Sequence, residues 1–323
     1  MQIESFSRKH EAMHELCAQT ATGGSGDVET GDAGAPTDEA ARSKLTIATY
    51  NIRYAVGRFL ISSGILRRAG INLPLHRAAR IEQNIRTAAR AFAGDLLMPP
   101  ADILALQEAD KQTSRAGRHH IAAELAAELR MRWVHVPARI PRGEKPKPRQ
   151  WWLGFEEQIA LKDPGDLGIA LLSRVPMEDT SRIDLPWKEC AWRPHWAMGA
   201  SIRLDSAKLR LFNAHIDPHA TLHGQHDQLE ALLVHAEKQK GPTVILGDFN
   251  TLSRQKCNET RRFMESRGFT TPFPDRIATW RGALIRLHAD WIFVRDVRVS
   301  RWGAARPLNV SDHWPIWAEI GLK

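Results

Sequence analysis

The amino-acid sequence predicts an α/β fold, and three observations support this class. Short apolar runs rich in strand-forming residues alternate with longer segments whose apolar residues recur at helical spacing. Hydrophobic residues make up 43% and charged residues 25% of the 323 residues, as in ordinary globular proteins. No repeat and no domain boundary stands out within residues 45–323, so we expect one large folded domain there.

Residues 1–44 are expected to form a disordered acidic tail. Within them, the segment 18–43 is small, polar and acidic, and it has too little to bury to offset its ordering entropy. This tail has four basic and eight acidic residues, a net charge of −4, so the remainder carries +12 while the whole chain carries +8. Such an excess favours an anionic substrate or surface, although a basic surface can also serve only solubility.

The first half of the domain begins with a strand. Leu45–Tyr50 alternates and is rich in strand formers, and the short apolar run 101–107 predicts a second, buried strand. Between them, His76–Phe92 has apolar residues at helical spacing and predicts an amphipathic helix. Ile121–Leu129, rich in Ala and Leu, predicts the next helix.

The second half of the domain is mostly strands around one helix. Apolar and alternating patterns predict strands at 166–173, 198–204, 208–215, 243–247, 290–294 and 314–320. The helix is predicted at Gln225–Gln239, where leucines recur on one side. Strands and helices that alternate in this way are typical of an α/β domain.

Two irregular segments interrupt the pattern, and long loops in compact domains are often functional. Residues 57–74 form an unusually apolar and basic connection after the first strand. Residues 137–152 contain five basic residues, four prolines and a pair of tryptophans.

The cysteines and the absence of long apolar runs indicate a cytoplasmic protein. Cys17, Cys190 and Cys257 are far apart, which argues against a disulfide framework and against a zinc site. A reducing cytoplasm is therefore expected. No run approaches the roughly 18 apolar residues of a membrane helix, and no signal peptide is recognisable, so no transmembrane segment is expected.

Polar residues stand at strand ends in six short motifs. These are T-Y-N-I-R (Asn51), A-L-Q-E-A-D (Glu108), F-N-A-H-I-D (His215), V-I-L-G-D-F-N (Asp248, Asn250), A-D-W-I-F-V (Asp290) and N-V-S-D-H-W-P (Asp312, His313). Each motif alone has an ordinary explanation, because Asn, Asp and Gly are common in turns and a single histidine is more often structural. The presence of all six motifs in this order is therefore more informative than any single one of them.

Together and in this order, the motifs resemble the endonuclease/exonuclease/phosphatase (deoxyribonuclease I-like) superfamily, and in particular its generic bacterial members. The resemblance runs from about Ile47 to Ile320. It implies a four-layer α/β sandwich in which two packed mixed β-sheets are flanked by helices. It also implies cleavage of phosphate esters with Mg²⁺ or Mn²⁺.

The resemblance also implies roles for the motif residues. Glu108 would be the principal metal ligand, with Asn51 and Asp312 close to the metal, because a hard divalent cation prefers carboxylate and amide oxygens. Asp248 would orient or deprotonate the attacking water, and Asn250 would donate to the phosphate.

The two histidines of the motifs would act on the phosphate. His313 would bind the scissile phosphate, with Asp290 at its other ring nitrogen to fix the tautomer and favour the imidazolium. His215 would bind phosphate or serve in acid/base chemistry. Arg174 also matches a recurrent position of the superfamily, with a structural charge as the equal alternative. Asn213 and Asp217, beside His215, are expected to support the site.

Residues 137–152, the basic loop, suggest a nucleic acid substrate, DNA or RNA. Arg139, Arg142, Lys145, Lys147 and Arg149 could contact phosphates, and Trp151 or Trp152 could stack on a base. The loop could equally be a solvated one, stiffened by proline, whose tryptophans pack onto the core.

Two other functions stay open. One is a phospholipid or small-molecule phosphodiesterase resembling sphingomyelinases, with 59–73 touching a lipid surface. The other is a catalytically silent scaffold, which the complete motif set disfavours. We expect a monomer.

Overall fold

The computed structural model describes the chain in eleven ranges. They are 21–22, 28–35, 42–58, 76–95, 97–140, 159, 162–187, 194–238, 240–275, 277–282 and 285–323. Of the helices within these ranges, none combines the length and the apolar character that crossing a bilayer requires.

Two large β-sheets and a short ribbon account for the strands in these ranges. Sheet one has the strand order β1-β2-β5-β6-β4-β3-β15-β14, and sheet two has the order β13-β10-β9-β8-β7. The strands of sheet one are β1 (Ala21–Thr22), β2 (Glu29–Asp32), β3 (Lys44–Asn51), β4 (Ile103–Gln107), β5 (Arg132–Pro137), β6 (Gly168–Ser173), β14 (Val297–Ala304) and β15 (Ile316–Leu322). Those of sheet two are β7 (Glu178–Leu185), β8 (His195–Leu204), β9 (Ala207–His215), β10 (Thr243–Asp248) and β13 (Asp290–Arg295). The ribbon pairs β11 (Trp280–Arg281) with β12 (Arg286–Leu287).

Helices cover the outer face of each sheet, which gives four layers and confirms the predicted sandwich. The helices are α1 (Arg77–Phe92), α2 (Ile121–Leu129), α3 (Leu222–Glu237) and α4 (Arg254–Ser266). One apolar cluster lies between the sheets, and two further clusters lie under the helix pairs α1–α2 and α3–α4. Strand β3 shows the principle, since Ile47 faces the other sheet while Ala48 and Tyr50 face the helices.

Each sheet contains one parallel strand pair joined through a helix. In sheet one β3 runs parallel to β4, with α1 between them in the chain, and in sheet two β9 runs parallel to β10, with α3 between them. Parallel neighbours need such a crossover, and their carboxyl ends lie at the same edge of the sheet. Asn51 is thus opposite Gln107, and His215 is opposite Asp248.

The N-terminal tail differs from the prediction of disorder. Glu29–Asp32 forms β2 and pairs antiparallel with β5, which would otherwise be an exposed edge. Backbone pairing and the ion pairs Lys111–Glu29 (2.7 Å) and Arg132–Asp32 (3.3 Å) hold this polar strand, although it has few apolar side chains to bury. The expectation of disorder is therefore wrong for Glu29–Asp32, and most of 1–44 lies outside the described residues.

Candidate active site

Five polar side chains meet where the strands of the two sheets end. Asn51 is the last residue of β3, Glu108 follows β4, His215 ends β9, Asp248 ends β10 and Asp290 begins β13. The pairing of β10 with β13 places Asp290 opposite Asp248. Sheet one and sheet two therefore each supply one half of a common site.

Asn51 links the two halves directly. Its amide Nδ2 donates to Glu108 Oε1 at 3.1 Å and to Asp248 Oδ2 at 2.9 Å, and its Oδ1 accepts from the backbone N–H of Arg53 at 3.0 Å. The Asn51 side chain is buried, so these hydrogen bonds have little competition from water. Glu108 itself has a left-handed backbone (φ 52°), which ends the extended conformation of β4 at this residue.

Asp248 lies between two imidazoles. Its Oδ2 is 3.7 Å from His215 Nε2 and 3.7 Å from His313 Nε2, and its Oδ1 accepts from the backbone N–H of Asn250 at 2.9 Å. Burial raises the pKa of Asp248 to about 7, with Asp290 acting in the same direction. A carboxylate with a pKa near neutrality is suited to taking a proton from water.

His313 is held as a cation by its neighbours. Its Nδ1 lies 2.9 Å from Asp290 Oδ2, and its backbone N–H donates to the hydroxyl of Ser311 at 3.1 Å. Burial would lower the pKa of His313, but Asp290 and Asp248 outweigh it and raise the pKa to about 10. The protonated ring therefore presents an N–H and a positive charge to the space beside Asp248.

Gly247 allows the two strands of sheet two to approach at the site. Its φ is +145°, and a Cβ at this position would lie 1.9 Å from the carbonyl oxygen of Ala214 on β9. A side chain would push β10 away from β9 and would separate Asp248 from His215. The glycine of the G-D-F-N motif thus has a packing role.

The predicted metal ligands contain the oxygen donors that Mg²⁺ requires. Burial lowers the pKa of Arg53, but Asp312, Tyr54 and Glu108 outweigh it and raise the pKa, so two carboxylates act on one cationic group. Arg53 Nη1 lies 3.4 Å from Asp312 Oδ2, and both carboxylate side chains are partly exposed. The Oδ1 of Asn51 keeps a second lone pair beside its bond to Arg53. This donor set fits a hard divalent cation.

Some predicted residues are engaged elsewhere. Asn250 has a left-handed backbone (φ 50°) and donates its Nδ2 to the carbonyl of Ile216 at 2.8 Å. Its contact with phosphate stays a prediction. Asp217 accepts from the N–H of His219 at 2.8 Å and lies 3.5 Å from His195, so it shapes the loop that follows β9.

Arg174 has structural contacts, as in the alternative that the sequence analysis gave beside substrate binding. Ser173, its neighbour, pairs with Ile103 at the start of β4, whereas Glu108 follows the other end of that strand. The Arg174 guanidinium donates to the carbonyls of Ala101 and Leu129 at 3.0 and 3.3 Å, and therefore links the segment before β4 to the end of α2.

The predicted basic loop is described only at its beginning. Arg139 is exposed, and its backbone N–H donates to Asp166 Oδ2 at 2.6 Å. The other residues predicted to contact substrate, Arg142, Lys145, Lys147, Arg149 and Trp151 with its neighbour Trp152, lie outside the described residues.

Three residues that the sequence analysis did not single out complete the site. The hydroxyl of Ser311 donates to the carbonyl of Asn51 at 2.8 Å, which joins the loop before β15 to the end of β3. Thr279 Oγ1 accepts from the N–H of Asp290 at 2.9 Å, and Trp280 Nε1 donates to Asp312 Oδ2 at 3.2 Å. Ser311 stands in the S-D-H motif and could have been inferred, whereas no sequence pattern marks Thr279 or Trp280.

Known proteins resemble this chain over most of its length. A sequence model described as the Endonuclease/Exonuclease/phosphatase family matches residues 48–313. A UPF0294 protein of Photorhabdus laumondii is 30% identical over 94 residues, which are 28% of this chain and 33% of that protein. This match thus spans about a third of the relative's length.

Solved structures share the fold at low sequence identity. An endonuclease/exonuclease/phosphatase from Beutenbergia cavernae superposes with a TM-score of 0.60 at 14% identity, covering 87% of this chain and 72% of that one. A family protein from Leptotrichia buccalis also gives 0.60 at 14% identity, covering 86% of this chain and all (100%) of that one. With the family match over residues 48–313, the chain belongs to the endonuclease/exonuclease/phosphatase family.

Proposed function

We propose that this protein is a Mg²⁺- or Mn²⁺-dependent phosphoesterase that hydrolyses phosphodiester bonds of DNA or RNA by in-line attack of water. One geometric observation is the main support for this type of reaction. A buried carboxylate, Asp248, faces two histidine Nε2 atoms at 3.7 Å each, and one of these histidines is backed by Asp290. The site thus combines a base for water with a cationic group for phosphate.

In the proposed reaction each residue of the site has a separate role. Asp248 orients the attacking water and accepts its proton. The His313 imidazolium donates a hydrogen bond to a non-bridging phosphate oxygen, and the charge that develops there in the transition state strengthens this bond. Asp290 keeps the ring charged and correctly oriented. His215, 3.9 Å from Glu108 and 3.7 Å from Asp248, binds the phosphate from the other side or transfers a proton.

Glu108, Asp312 and Asn51 would hold the metal ion. When bound, a divalent ion neutralises phosphate oxygens and the leaving oxygen, which lowers the repulsion of the nucleophile. Arg53, which lies between these carboxylates, would then be able to turn toward the substrate. Asn250 would donate its remaining amide hydrogen to the phosphate.

Nucleic acid is proposed as the substrate because most of the chain is strongly basic. The chain excluding residues 1–44 has a net charge of +12, from +8 overall and −4 in the tail, and its basic loop adds tryptophans suited to base stacking. Relatives of the same fold show how widely substrates vary: one, from Bacteroides thetaiotaomicron, is described as a mannosyl-6-phosphatase, and another, ANGEL2, as a 2′,3′-cyclic phosphatase.

A substrate panel tests the proposal. The purified chain is assayed with Mg²⁺, with Mn²⁺ and with EDTA against plasmid DNA, single-stranded DNA, RNA, sphingomyelin and a chromogenic bis-phosphoester. We expect hydrolysis of nucleic acid that EDTA abolishes. Turnover of sphingomyelin or the small ester alone would support the competing phosphodiesterase function, and turnover in EDTA would contradict metal dependence.

Site variants test the residue roles in the same assay. Asp248→Asn and His313→Ala should each abolish turnover while circular dichroism shows a folded protein. Asp184→Asn, in an exposed position on β7, and His235→Ala, on α3, are matched controls that should keep wild-type activity. Full activity in Asp248→Asn and in His313→Ala would contradict the site assignment.

A further inference from the structure

A second cluster of metal-binding side chains lies at the other edge of sheet one, where β2 joins β5. Glu29 on β2 is directly opposite His135 on β5, and His120 immediately precedes α2. Glu29 Oε2 lies 3.5 Å from His135 Nδ1 and 3.8 Å from His120 Nε2, and the three ligand atoms all lie within 4.8 Å of one another.

The facing nitrogens of this cluster are buried and unsatisfied. His135 is 0% and His120 8% exposed, and neither His135 Nδ1 nor His120 Nε2 has a hydrogen-bond partner among the residues that the structure describes. Buried polar atoms without a partner are uncommon and call for an explanation. The separations from Glu29 are too long for hydrogen bonds, but ligands at about 2.0–2.2 Å from a tetrahedral ion lie roughly 3.3–3.6 Å apart.

The tautomer of His135 and the neutral state of His120 suit a metal ion. His135 Nε2 lies 3.0 Å from the carbonyl oxygen of Ala109, so this nitrogen carries the proton and the lone pair of Nδ1 points at Glu29. Such a hydrogen bond to the second ring nitrogen accompanies nearly every metal-binding histidine. His120 Nδ1 accepts a hydrogen bond from the backbone N–H of Ala123 at 3.3 Å, so this ring is neutral, the charge state that binds metal.

We propose that Glu29, His120 and His135 form a divalent metal site of the zinc type, separate from the catalytic centre, with solvent in the fourth position. Imidazole ligands favour Zn²⁺ over Mg²⁺, whereas the oxygen ligands of the catalytic site favour Mg²⁺. The spacing of the cysteines argues against a zinc site, but here imidazoles and a carboxylate far apart in sequence are brought together by the fold. The ion would fix the N-terminal strand β2 to the sheet edge.

Two local changes accompany binding. Lys111 Nζ, 2.7 Å from Glu29 Oε1, turns toward solvent, which its partly exposed side chain permits. The ring proton of His120 moves from Nε2 to Nδ1, so that Nε2 can bind the ion. Nδ1 then no longer accepts its long (3.3 Å) hydrogen bond from the N–H of Ala123 at the start of α2. The ion replaces the lysine as the positive partner of Glu29.

The proposed site also touches the loop of the catalytic carboxylate. Ala109, whose carbonyl receives the His135 hydrogen bond, is the residue after Glu108. The ion would therefore stiffen the chain behind Glu108 as well as the N-terminal strand.

Zinc titration of the full chain tests the site. After removal of metals with a chelator, Zn²⁺ is titrated by calorimetry in millimolar Mg²⁺, which occupies the oxygen site. We expect one tightly bound Zn²⁺ per chain in the wild type and in Glu108→Gln. Affinity should fall at least about tenfold in His135→Ala and in Glu29→Gln. Glu178→Gln and His235→Ala, away from the cluster, should bind as the wild type does.

Glu29→Gln keeps the proposal testable if the buried His135 variant does not fold. Its side chain is a third exposed (33%) and the substitution preserves its shape. Zn²⁺ should raise the Tm of the wild type and leave that of Glu29→Gln unchanged. Absence of tight zinc binding by the wild type, or equal affinity and Tm shift in folded Glu29→Gln, would overturn the proposal.

Discussion

At the scale of the residue, the pair His313–Asp290 determines the electrostatics of the candidate site. The ring nitrogen and the carboxylate are 2.9 Å apart and both side chains are buried, so their attraction is little screened. The same carboxylate raises the pKa of Asp248. Asp290 thus raises both pKa values: it makes Asp248 a better proton acceptor, and it keeps His313 protonated.

Asp290→Asn should lower turnover by about 10²-fold and change the pH profile. Without the carboxylate, the pKa of His313 falls from about 10 toward its ordinary value, so the alkaline limb of the profile moves to lower pH. The acidic limb, which reports deprotonation of Asp248 near pH 7, should also move to lower pH because a neighbouring negative charge is removed. The profile of kcat/KM measures both limbs.

A matched variant separates this effect from general damage. Asp296→Asn, in the turn between β13 and β14, removes an exposed carboxylate and should keep the wild-type profile. An alkaline limb of Asp290→Asn that coincides with that of the wild type would show that Asp290 does not control the charge of His313.

The sequence indicates the residue types of the site but not their contacts. The motifs place Asn51, Asp248 and His313 at strand ends, and the structure brings all three together. The bond from Asn51 to Asp248 joins residues 197 positions apart, which no local pattern encodes. Arg174 shows the reverse case, because a motif match cannot tell which end of a sheet a side chain faces.

At the scale of the element, a buried asparagine joins the two sheets. Asn213 on β9 donates to the carbonyls of Leu106 on β4 and Ala170 on β6 at 3.0 and 2.9 Å. Its Oδ1 accepts from Gln107 Nε2 at 2.7 Å. An otherwise apolar interface between sheets is thereby fixed in register two residues before His215.

Asn213→Ala should destabilise the fold by about 3 kcal/mol, because it leaves buried partners in sheet one without a hydrogen bond. The free energy of unfolding from urea denaturation measures the loss. Asn258→Ala, on the partly exposed side of α4, should change it by less than about 0.5 kcal/mol. Equal stabilities of the two variants would contradict the role of Asn213.

A second prediction concerns the junction of α1 with α2. His119 Nδ1 lies 2.7 Å from Glu124 on α2, and its Nε2 lies 3.1 Å from the carbonyl of Ala78 on α1. Burial lowers the pKa of His119, but the bonds to Glu124 and Ala78 outweigh it and raise the pKa above its ordinary value. This contribution to stability is complete below the unfolded pKa and is lost as the pH rises through the folded pKa.

The destabilisation caused by His119→Gln should therefore be larger at pH 5.5 than at pH 9. The difference amounts to roughly 1.4 kcal/mol for each unit by which the pKa is raised. Urea denaturation of both proteins at the two pH values measures it. A loss of stability that is the same at both pH values would show that the histidine contributes only packing.

Strongly periodic elements could be predicted from the sequence, and polar ones could not. Ile121–Leu129 is helical at the predicted bounds, and α1 begins one residue after the predicted start. The edge strand β7 has the sequence E-D-T-S-R-I-D-L with one exposed face, and α4 buries only Cys257, Thr260 and Met264. Such elements depend on neighbours that only the folded chain supplies.

At the scale of the whole molecule, charge distribution determines how a nucleic acid would bind. The net charge of +8 includes an acidic tail, so the remaining chain is more basic than the total indicates. Binding of a polyanion releases counterions, and its strength falls steeply with salt.

The kcat/KM for DNA should therefore fall with salt concentration, and neutralising Arg142, Lys145, Lys147 and Arg149 should flatten the slope. The logarithmic slope should decrease by about one for each phosphate that the variant no longer neutralises. A control with Arg254, Arg262, Arg298 and Arg301 changed to Gln removes equal charge from α4 and β14. A rate that does not vary with salt, or equal slopes in both variants, would contradict binding through the loop.

The four-layer architecture could be predicted from the family resemblance, whereas the hydrophobic pattern alone predicts only the α/β class. The alternation of strands and helices indicates an α/β domain, and the resemblance implies the second sheet. The addition of β2 to the sheet edge could not be predicted, because E-T-G-D has none of the apolar residues by which strands are recognised.

The position of β15 between β3 and β14 has a consequence for protein synthesis. Ribosomes deliver the chain from its N-terminal end, and Asp312 and His313 emerge just before the strand that closes the centre of sheet one. Until these residues leave the ribosome, Asp248 lacks its contact with His313, and Arg53 lacks its ion pair with Asp312. The candidate site is therefore assembled late in synthesis, because the residues before β15 reach Asn51 and Asp248 only when β15 has paired with β3.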